Sequence, residues 1–217
     1  MRMTTGGALA PSHEWIAALE MQATVALLVR VQRYARCQAR ASCQVVTAKG
    51  EVEQLTTKLV ADCVARTLSG AAAWDPAGGS LETHWIEDIG AQAAEVRAGM
   101  RGEPSPLVVS DTDSEDTEEV EPVRPAVVDA EVAKFAARQQ IPRQSAGKML
   151  QVLRVLVPSD QEILALLDDA QIHDEAMAEI GGPATAAEEH EARNLAQCIQ
   201  GHIEHLRRAA ETSRGRR

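Results

Sequence analysis

Three side chains that can ligate a metal recur at helical spacing near the carboxyl terminus: Cys198, His202 and His205. Residues at i, i+4 and i+7 share one side of an α-helix, and His190 falls in the same arc of about 120°. Thiolate and imidazole are ligands for a divalent metal such as Zn²⁺. No fourth ligand stands at a suitable spacing, and a solvated helix flank explains the same residues. We therefore assign no metal and no cofactor, and metal binding by this cluster stays an open alternative.

A short apolar run followed directly by polar and acidic residues stands near the middle of the chain. The residues of this recognition strip are Leu107, Val108, Val109, Ser110 and Asp111. The strip resembles a SUMO-interacting motif, in which an extended apolar segment adds as a strand to an exposed sheet edge. The resemblance implies SUMO, or another sheet-edge receptor, as a partner bound through 107–119. The alternative is a solvated linker whose charge keeps two domains apart.

Three hydroxyls in this segment are predicted phosphorylation sites: Ser110, Thr112 and Ser114. Ser110 and Thr112 each have an acidic residue three positions later, which is the pattern favoured by acidophilic kinases such as casein kinase 2. Phosphate at these positions would add negative charge opposite a basic receptor rim.

A second resemblance lies in the segment 84–91. Trp85, Ile86, Asp88 and Gly90 match a Trp-Ile-x-Asp-x-Gly pattern that is similar to the BH2 region of Bcl-2-like apoptosis regulators. The resemblance implies a helical regulator of cell death with an apolar groove between its helices. The alternative is that Trp85 is an ordinary core residue of an amphipathic helix.

Signals for catalysis and for nucleic-acid binding are few. The sequence lacks a phosphate-cradling glycine loop, a nucleophile elbow and a paired Glu-x-x-His motif. The pair His173-Asp174 has no further ligands of the kind that a metal-dependent hydrolase needs, so a helical metal enzyme is the least favoured alternative. The basic end 207–217 has no aromatic platform for bases. We predict a non-enzymatic protein with no catalytic residue and no nucleic-acid partner.

The amino-acid composition predicts the kind of structure that carries these motifs. Thirty-seven alanines in 217 residues, with one Tyr and one Phe, favour helix over strand. Of the net charge of −10, −8 falls in 99–131, which holds two basic and ten acidic residues. That stretch is also rich in proline and poor in apolar groups that could offset the entropy of ordering. We predict an acidic disordered linker over 100–127, between helical regions at 1–99 and 128–217.

Apolar residues at spacings of three and four predict an all-α fold, as two small helical bundles or one split bundle. One long helix starting at Ser12 is predicted to bury Ile16, Leu19, Ala23, Leu27, Val31 and Tyr34. A helix opened by the capping box Ser159-x-x-Glu162 is predicted to bury Ile163, Leu166, Leu167, Ala170 and Met177. A second capping box, Thr185-x-x-Glu188, predicts the start of the last helix.

The last helix carries a heptad-like seam within 192–209. Its members are Ala192, Leu195, Ile199, His202, Leu206 and Ala209. Such a seam can pair with a second copy, which predicts a homo-oligomer, or it can pack within its own domain. Both alternatives stay open at this point.

Cysteine spacing and the amino terminus bear on the compartment. The four cysteines show no paired spacing of a secreted scaffold, and residues 1–13 show no secretory signal. The most apolar run, 25–29, is far shorter than the ~18 residues that span a bilayer. We expect a chain that stays inside the cell, in the cytoplasm or nucleus, without a membrane partner. The predicted function is an interaction or regulatory protein, and a viral or host-interacting factor is one kind of protein that this composition suits.

Overall fold

The computed structural model describes residues 12–43, 49–100, 125–157 and 159–214. All the regular secondary structure within these ranges is α-helical, which confirms the predicted all-α fold. The helices in chain order are α1 (His13–Gln22), α2 (Val25–Ser42), α3 (Lys49–Ser69), α4 (Leu81–Met100), α5 (Pro125–Arg138), α6 (Arg143–Leu156), α7 (Asp160–Glu179) and α8 (Ala186–Arg214).

The helices group into two compact units. Unit 1 contains α1 to α4, α8 and the end of α7 from Ala176, and unit 2 contains α5, α6 and the rest of α7. The last helix, which the sequence placed in the region 128–217, thus packs on α1 and α2. The structure places Met100 in α4 and Val127 in α5, both within the predicted linker, and the residues 101–124 between these helices lie outside the described ranges. The division into 1–99, 100–127 and 128–217 stays a prediction.

Unit 1 is built around α2, which contacts α3, α4 and α8. The reason is its composition, because Leu28, Val31 and Ala35 recur on one side and are fully buried. Trp85 of α4 is also fully buried, and its indole Nε1 donates a hydrogen bond of 3.0 Å to the hydroxyl of Thr67. Satisfying the one polar atom of the ring lets the whole side chain enter the core without an unpaired donor.

The single long helix predicted from Ser12 is wrong, since the chain breaks it between α1 and α2. Thr24 adopts an extended conformation, and its hydroxyl accepts a hydrogen bond of 3.3 Å from the amide of Leu27. A β-branched residue with a capping oxygen favours such a start. Close to the break Leu28 is fully buried and the predicted Leu27 only half-buried, whereas Val31 and Tyr34 are buried as predicted.

Unit 2 has a much smaller core, formed by Val128 and Val132 of α5 and Ile163 of α7. The Ser159 half of the predicted capping box is confirmed, because the hydroxyl of Ser159 accepts a hydrogen bond of 3.2 Å from the amide of Glu162.

Two apolar residues of α7 that were predicted to face inward are exposed. Leu166 is 48% exposed and Met177 is 39% exposed. Ala176 and Ile180 are buried instead. A single apolar stripe fails here because α7 contributes its first part to unit 2 and its last turn to unit 1, with a different face buried in each.

The helix α8 begins at the predicted capping box, in which Thr185 and Glu188 each accept from the other's amide, at 3.3 and 2.9 Å. Within the predicted seam, Ala192 and Ile199 are buried in unit 1, whereas Ile203 takes the inward place assigned to His202. The buried part of the seam therefore packs within the chain, and a homo-oligomer through 192–209 stays a prediction. No helix of the described ranges has the length and apolar character needed to cross a membrane.

Candidate interaction surfaces

The recognition strip, from Leu107 to Asp111, lies outside the described residues, and so do the predicted phosphorylation sites Ser110, Thr112 and Ser114. Both predictions stay predictions. The described chain on either side ends with Met100 of α4 and resumes with Pro125 of α5. The strip therefore lies in a stretch of 24 residues that joins a helix of unit 1 to a helix of unit 2.

The residues that resemble a BH2 region are placed in the core of unit 1. Trp85 and Ile86 are buried, and Asp88 forms an ion pair of 3.3 Å with Arg66. Gly90 lies so close to α2 that a Cβ atom there would meet the hydroxyl of Tyr34 at 3.1 Å. These side chains hold α4 against its neighbours. None of the four lines the cavity of about 450 Å³ between α3 and α4.

The metal-ligating side chains of α8 are solvent-facing. Cys198, His202 and His205 are exposed, and the two imidazole rings stack at 6.5 Å between centroids with an angle of 25°. Among the described residues, no group of three or more His, Cys, Asp or Glu side chains is gathered as a metal site would require. Stacked rings on a helix surface fit the solvated-flank interpretation of this cluster.

Two thiols of unit 1, those of Cys37 and Cys63, are held in their protonated form. Burial, and then the carboxylate of Glu179 to which the thiol donates at 2.9 Å, raise the pKa of Cys37 to about 12. Burial likewise raises the pKa of Cys63, which is fully enclosed. Because the thiolate is the reactive species, neither side chain is prepared for nucleophilic chemistry at neutral pH.

The polar surface of α2 serves as a structural contact. The guanidinium of Arg33 donates to both carboxylate oxygens of Glu188, at 3.0 and 2.8 Å, and to the carbonyls of Gly182 and Pro183, each at 2.6 Å. The hydrogen bond from Arg33, and then the amide of Thr185, lower the pKa of Glu188 to about 2. This α2–α8 clamp fixes the loop before α8 to the centre of unit 1.

A polar group of unit 1 that the sequence did not reveal lies between α2 and α4. Arg97 is only 6% exposed, and it donates to the amide oxygen of Gln38 at 3.0 Å and to the hydroxyl of Ser42 at 3.4 Å. Gln38 and Ser42 are buried with it. This buried arginine, with its hydrogen-bond acceptors, helps to pack α4 against α2. Hydrophobic periodicity does not predict its burial, because a charged residue is assigned to the solvent-facing side of a helix.

The most exposed large apolar side chains in the described part of unit 2 lie on α6. Val152, Val155 and Leu156, which we call the α6 stripe, are 54%, 84% and 73% exposed. At 100° per residue they fall within an arc of about 100°. Leu150 and Leu153, on the other side of the same helix, pack on the core of unit 2. The helix α6 therefore has apolar side chains on two sides, and unit 2 buries only one of them.

The charges of α6 are of one sign. Its 14 residues include Arg143, Lys148 and Arg154 and no acidic residue. Arg154 forms ion pairs with Asp129 at 3.0 Å and with Asp160 at 3.9 Å. Lys148 is exposed on the side of the stripe, as its spacing of four residues from Val152 requires. The α6 stripe is thus an apolar surface with one exposed cation, Lys148, beside it.

A separate groove of about 650 Å³ runs between α5 and α6. Small side chains on both helices leave this space open, among them Ala133, Ala136, Ala137, Ala146 and Gly147. Deeper in the groove lie Val132 and Leu150. The groove and the α6 stripe lie on different sides of α6, because Gly147 and Leu150 are turned well away from Val152 and Leu156. Unit 2 therefore offers two apolar surfaces.

Comparison with known proteins adds no relative. No protein-family model, no curated protein and no solved structure matches this chain. Function is therefore inferred from the residues of this chain and their arrangement.

Proposed function

We propose that this protein is a non-enzymatic interaction or regulatory protein that works inside the cell. Its recognition strip binds a protein partner by adding a strand to an open sheet edge, and SUMO is the receptor class that the strip resembles most. The segment 107–119 supplies the apolar contact and the acidic residues that follow it.

One observation carries the proposal: unit 2 keeps large aliphatic side chains in water. Val155 and Leu156 are among the most exposed apolar side chains of the described residues. Contiguous apolar surface of this kind is typical of sites at which proteins associate.

The location of the strip supports its use as a ligand. It is attached to helices at both ends, at Met100 and at Pro125. Strand addition needs only a short length of backbone whose amide and carbonyl groups are free to pair. The two alternating apolar positions, Leu107 and Val109, would enter receptor pockets, and the acids from Asp111 onward would face a basic rim. Phosphate at Ser110 would strengthen that electrostatic contact.

The test is a titration of ¹⁵N-labelled full-length protein with SUMO, followed at the amides of 107–116. We expect shifts confined to this segment. The double variant Leu107→Ser/Val109→Ser should weaken binding by about tenfold or more, since two buried apolar groups are lost. The variant Val120→Ser/Val123→Ser changes two aliphatic residues in the same acidic stretch and is the matched control, which should bind as the parent does. No shift at millimolar SUMO, or equal weakening in both variants, would contradict the proposed function.

A further inference from the structure

We propose that the α6 stripe is the docking site of the chain's own recognition strip, so that α6 and an external receptor compete for the same residues. The inference deepens the proposed function and rests on it, because it supplies a means by which partner binding is regulated.

The chemistry of the two surfaces is complementary. The stripe presents Val152, Val155 and Leu156 beside Lys148, and the strip presents three aliphatic side chains followed by acids. The stretch 99–131 contains ten acidic and two basic residues, whereas all the charged residues of α6 are basic. A second copy of α6 has no acidic residue to pair with Lys148, whereas the acids that follow the strip can pair with it. An apolar segment with an acidic continuation fits it better.

The chain is long enough for this contact. Fifteen residues separate Val109 from Pro125, the first residue of α5, and that length of chain can span about 50 Å. The helix α6 is only about 21 Å long at 1.5 Å per residue, and it packs against α5 within unit 2. Every turn of the stripe is therefore within reach.

The tether also decides which occupant is favoured. A segment attached by a linker of this length is present at an effective concentration in the millimolar range. An apolar contact that is too weak to hold a free peptide can be occupied under these conditions. Because the strip can bury its aliphatic side chains on α6 or in a receptor but not in both, occupancy of α6 lowers the apparent affinity for the receptor.

The test compares two variants of the full-length chain. Val155→Ser/Leu156→Ser removes the stripe, and Met21→Ser removes an apolar side chain on α1 that is 72% exposed and far from α6 in sequence. Both change exposed residues, and circular dichroism verifies that each keeps its helices. The readouts are the NMR signals of residues 107–109 and the affinity for SUMO.

We expect Val155→Ser/Leu156→Ser to move the signals of 107–109 to those of a free peptide of residues 105–121. It should also tighten SUMO binding by about tenfold, whereas Met21→Ser should change neither. Unchanged signals of 107–109 would overturn the docking while SUMO binding could remain, so the two proposals fail separately. A lower oligomeric state of the stripe variant in light scattering, with unchanged signals of 107–109, would also overturn it and make the stripe a contact between copies.

Discussion

The two units differ in how much of their apolar surface they bury. Unit 1 encloses large side chains, among them Trp85, Tyr34 and Leu28, and clamps α8 to α2 through Arg33. The core of unit 2 consists of three fully buried residues, and one of its helices exposes an aliphatic stripe. The regular elements described in both units are all α-helices, so helix propensity does not separate the units.

This difference shows that the number of neighbouring helices determines whether the apolar residues of a helix are buried or exposed. The central helix α2 has three packed neighbours and uses nearly every apolar side chain for stability. The helix α6 packs mainly against α5, and the residues beyond that contact remain accessible. An amphipathic helix with too few neighbours has the physical properties of a binding surface. Four predictions test this contrast.

The largest effect is expected in the core of unit 1. Trp85→Ala should lower the free energy of unfolding by about 3–5 kcal/mol, because it leaves a cavity and removes the partner of Thr67. Urea unfolding followed by circular dichroism measures the loss. Met21→Ala, in the same unit but exposed, should change the stability by less than about 0.5 kcal/mol. A loss below about 1 kcal/mol for Trp85→Ala would remove the distinction between the units.

A smaller loss is expected for the α2–α8 clamp. Arg33→Ala should lower the free energy of unfolding by less than Trp85→Ala but clearly more than Arg40→Ala, since it breaks hydrogen bonds to a carboxylate and to two carbonyls. Arg40→Ala is the matched control on the same helix, because Arg40 is 55% exposed and makes one contact of 3.5 Å with Glu179. Exposed pairs of that kind contribute about 0–1 kcal/mol. Equal losses in the two variants would show that the clamp is an ordinary surface contact.

The clamp should also give unit 1 a specific dependence on pH. The pKa of Glu188 is lowered from 4.5 to about 2 in the folded chain, so the unfolded chain binds more protons between these values. The contribution of Glu188 is therefore complete above pH 4.5 and is lost as the pH falls toward 2. Glu188→Gln should flatten the stability profile in this window, whereas Glu204→Gln, at an exposed pair with Arg208, should leave it unchanged. A profile that Glu188→Gln does not alter would contradict the assignment.

The smallest effect is expected on the α6 stripe. Leu156→Ser should change the free energy of unfolding by less than about 0.5 kcal/mol, because the side chain is already 73% exposed. Ile163→Ser, in the core of the same unit, should destabilise that unit strongly. Thermal unfolding of both variants measures the difference. If Leu156→Ser is as damaging as Ile163→Ser, the stripe belongs to a core.

The sequence predicted the helices well wherever a local signal marks them. The hydroxyls of Ser159 and Thr185 mark helix starts, and each accepts a hydrogen bond from the amide three residues later. The break at Thr24 was missed because apolar residues continue on both sides of it at helical spacing. The prediction that Leu166 and Met177 are buried was wrong, because hydrophobic periodicity does not show which neighbours a helix will have.

The candidate surfaces were predictable only in part. The recognition strip was found from its apolar and acidic order, which is a local feature, and its use stays a prediction. The α6 stripe was missed, because Val155 and Leu156 look like core residues in the sequence. Whether an aliphatic residue is buried depends on the number of helices that surround it, which is a property of the folded chain.

Hydrogen exchange of the full-length chain, followed by mass spectrometry at neutral pH, tests the contrast between the units most directly. We predict that amides of α2 and α4 exchange slowest and that those of α5 and α6 exchange faster by a factor of about ten or more. Equal protection of α6 and α2 would show that the exposed stripe belongs to a fully packed body, and would contradict the assignment of unit 2 to binding.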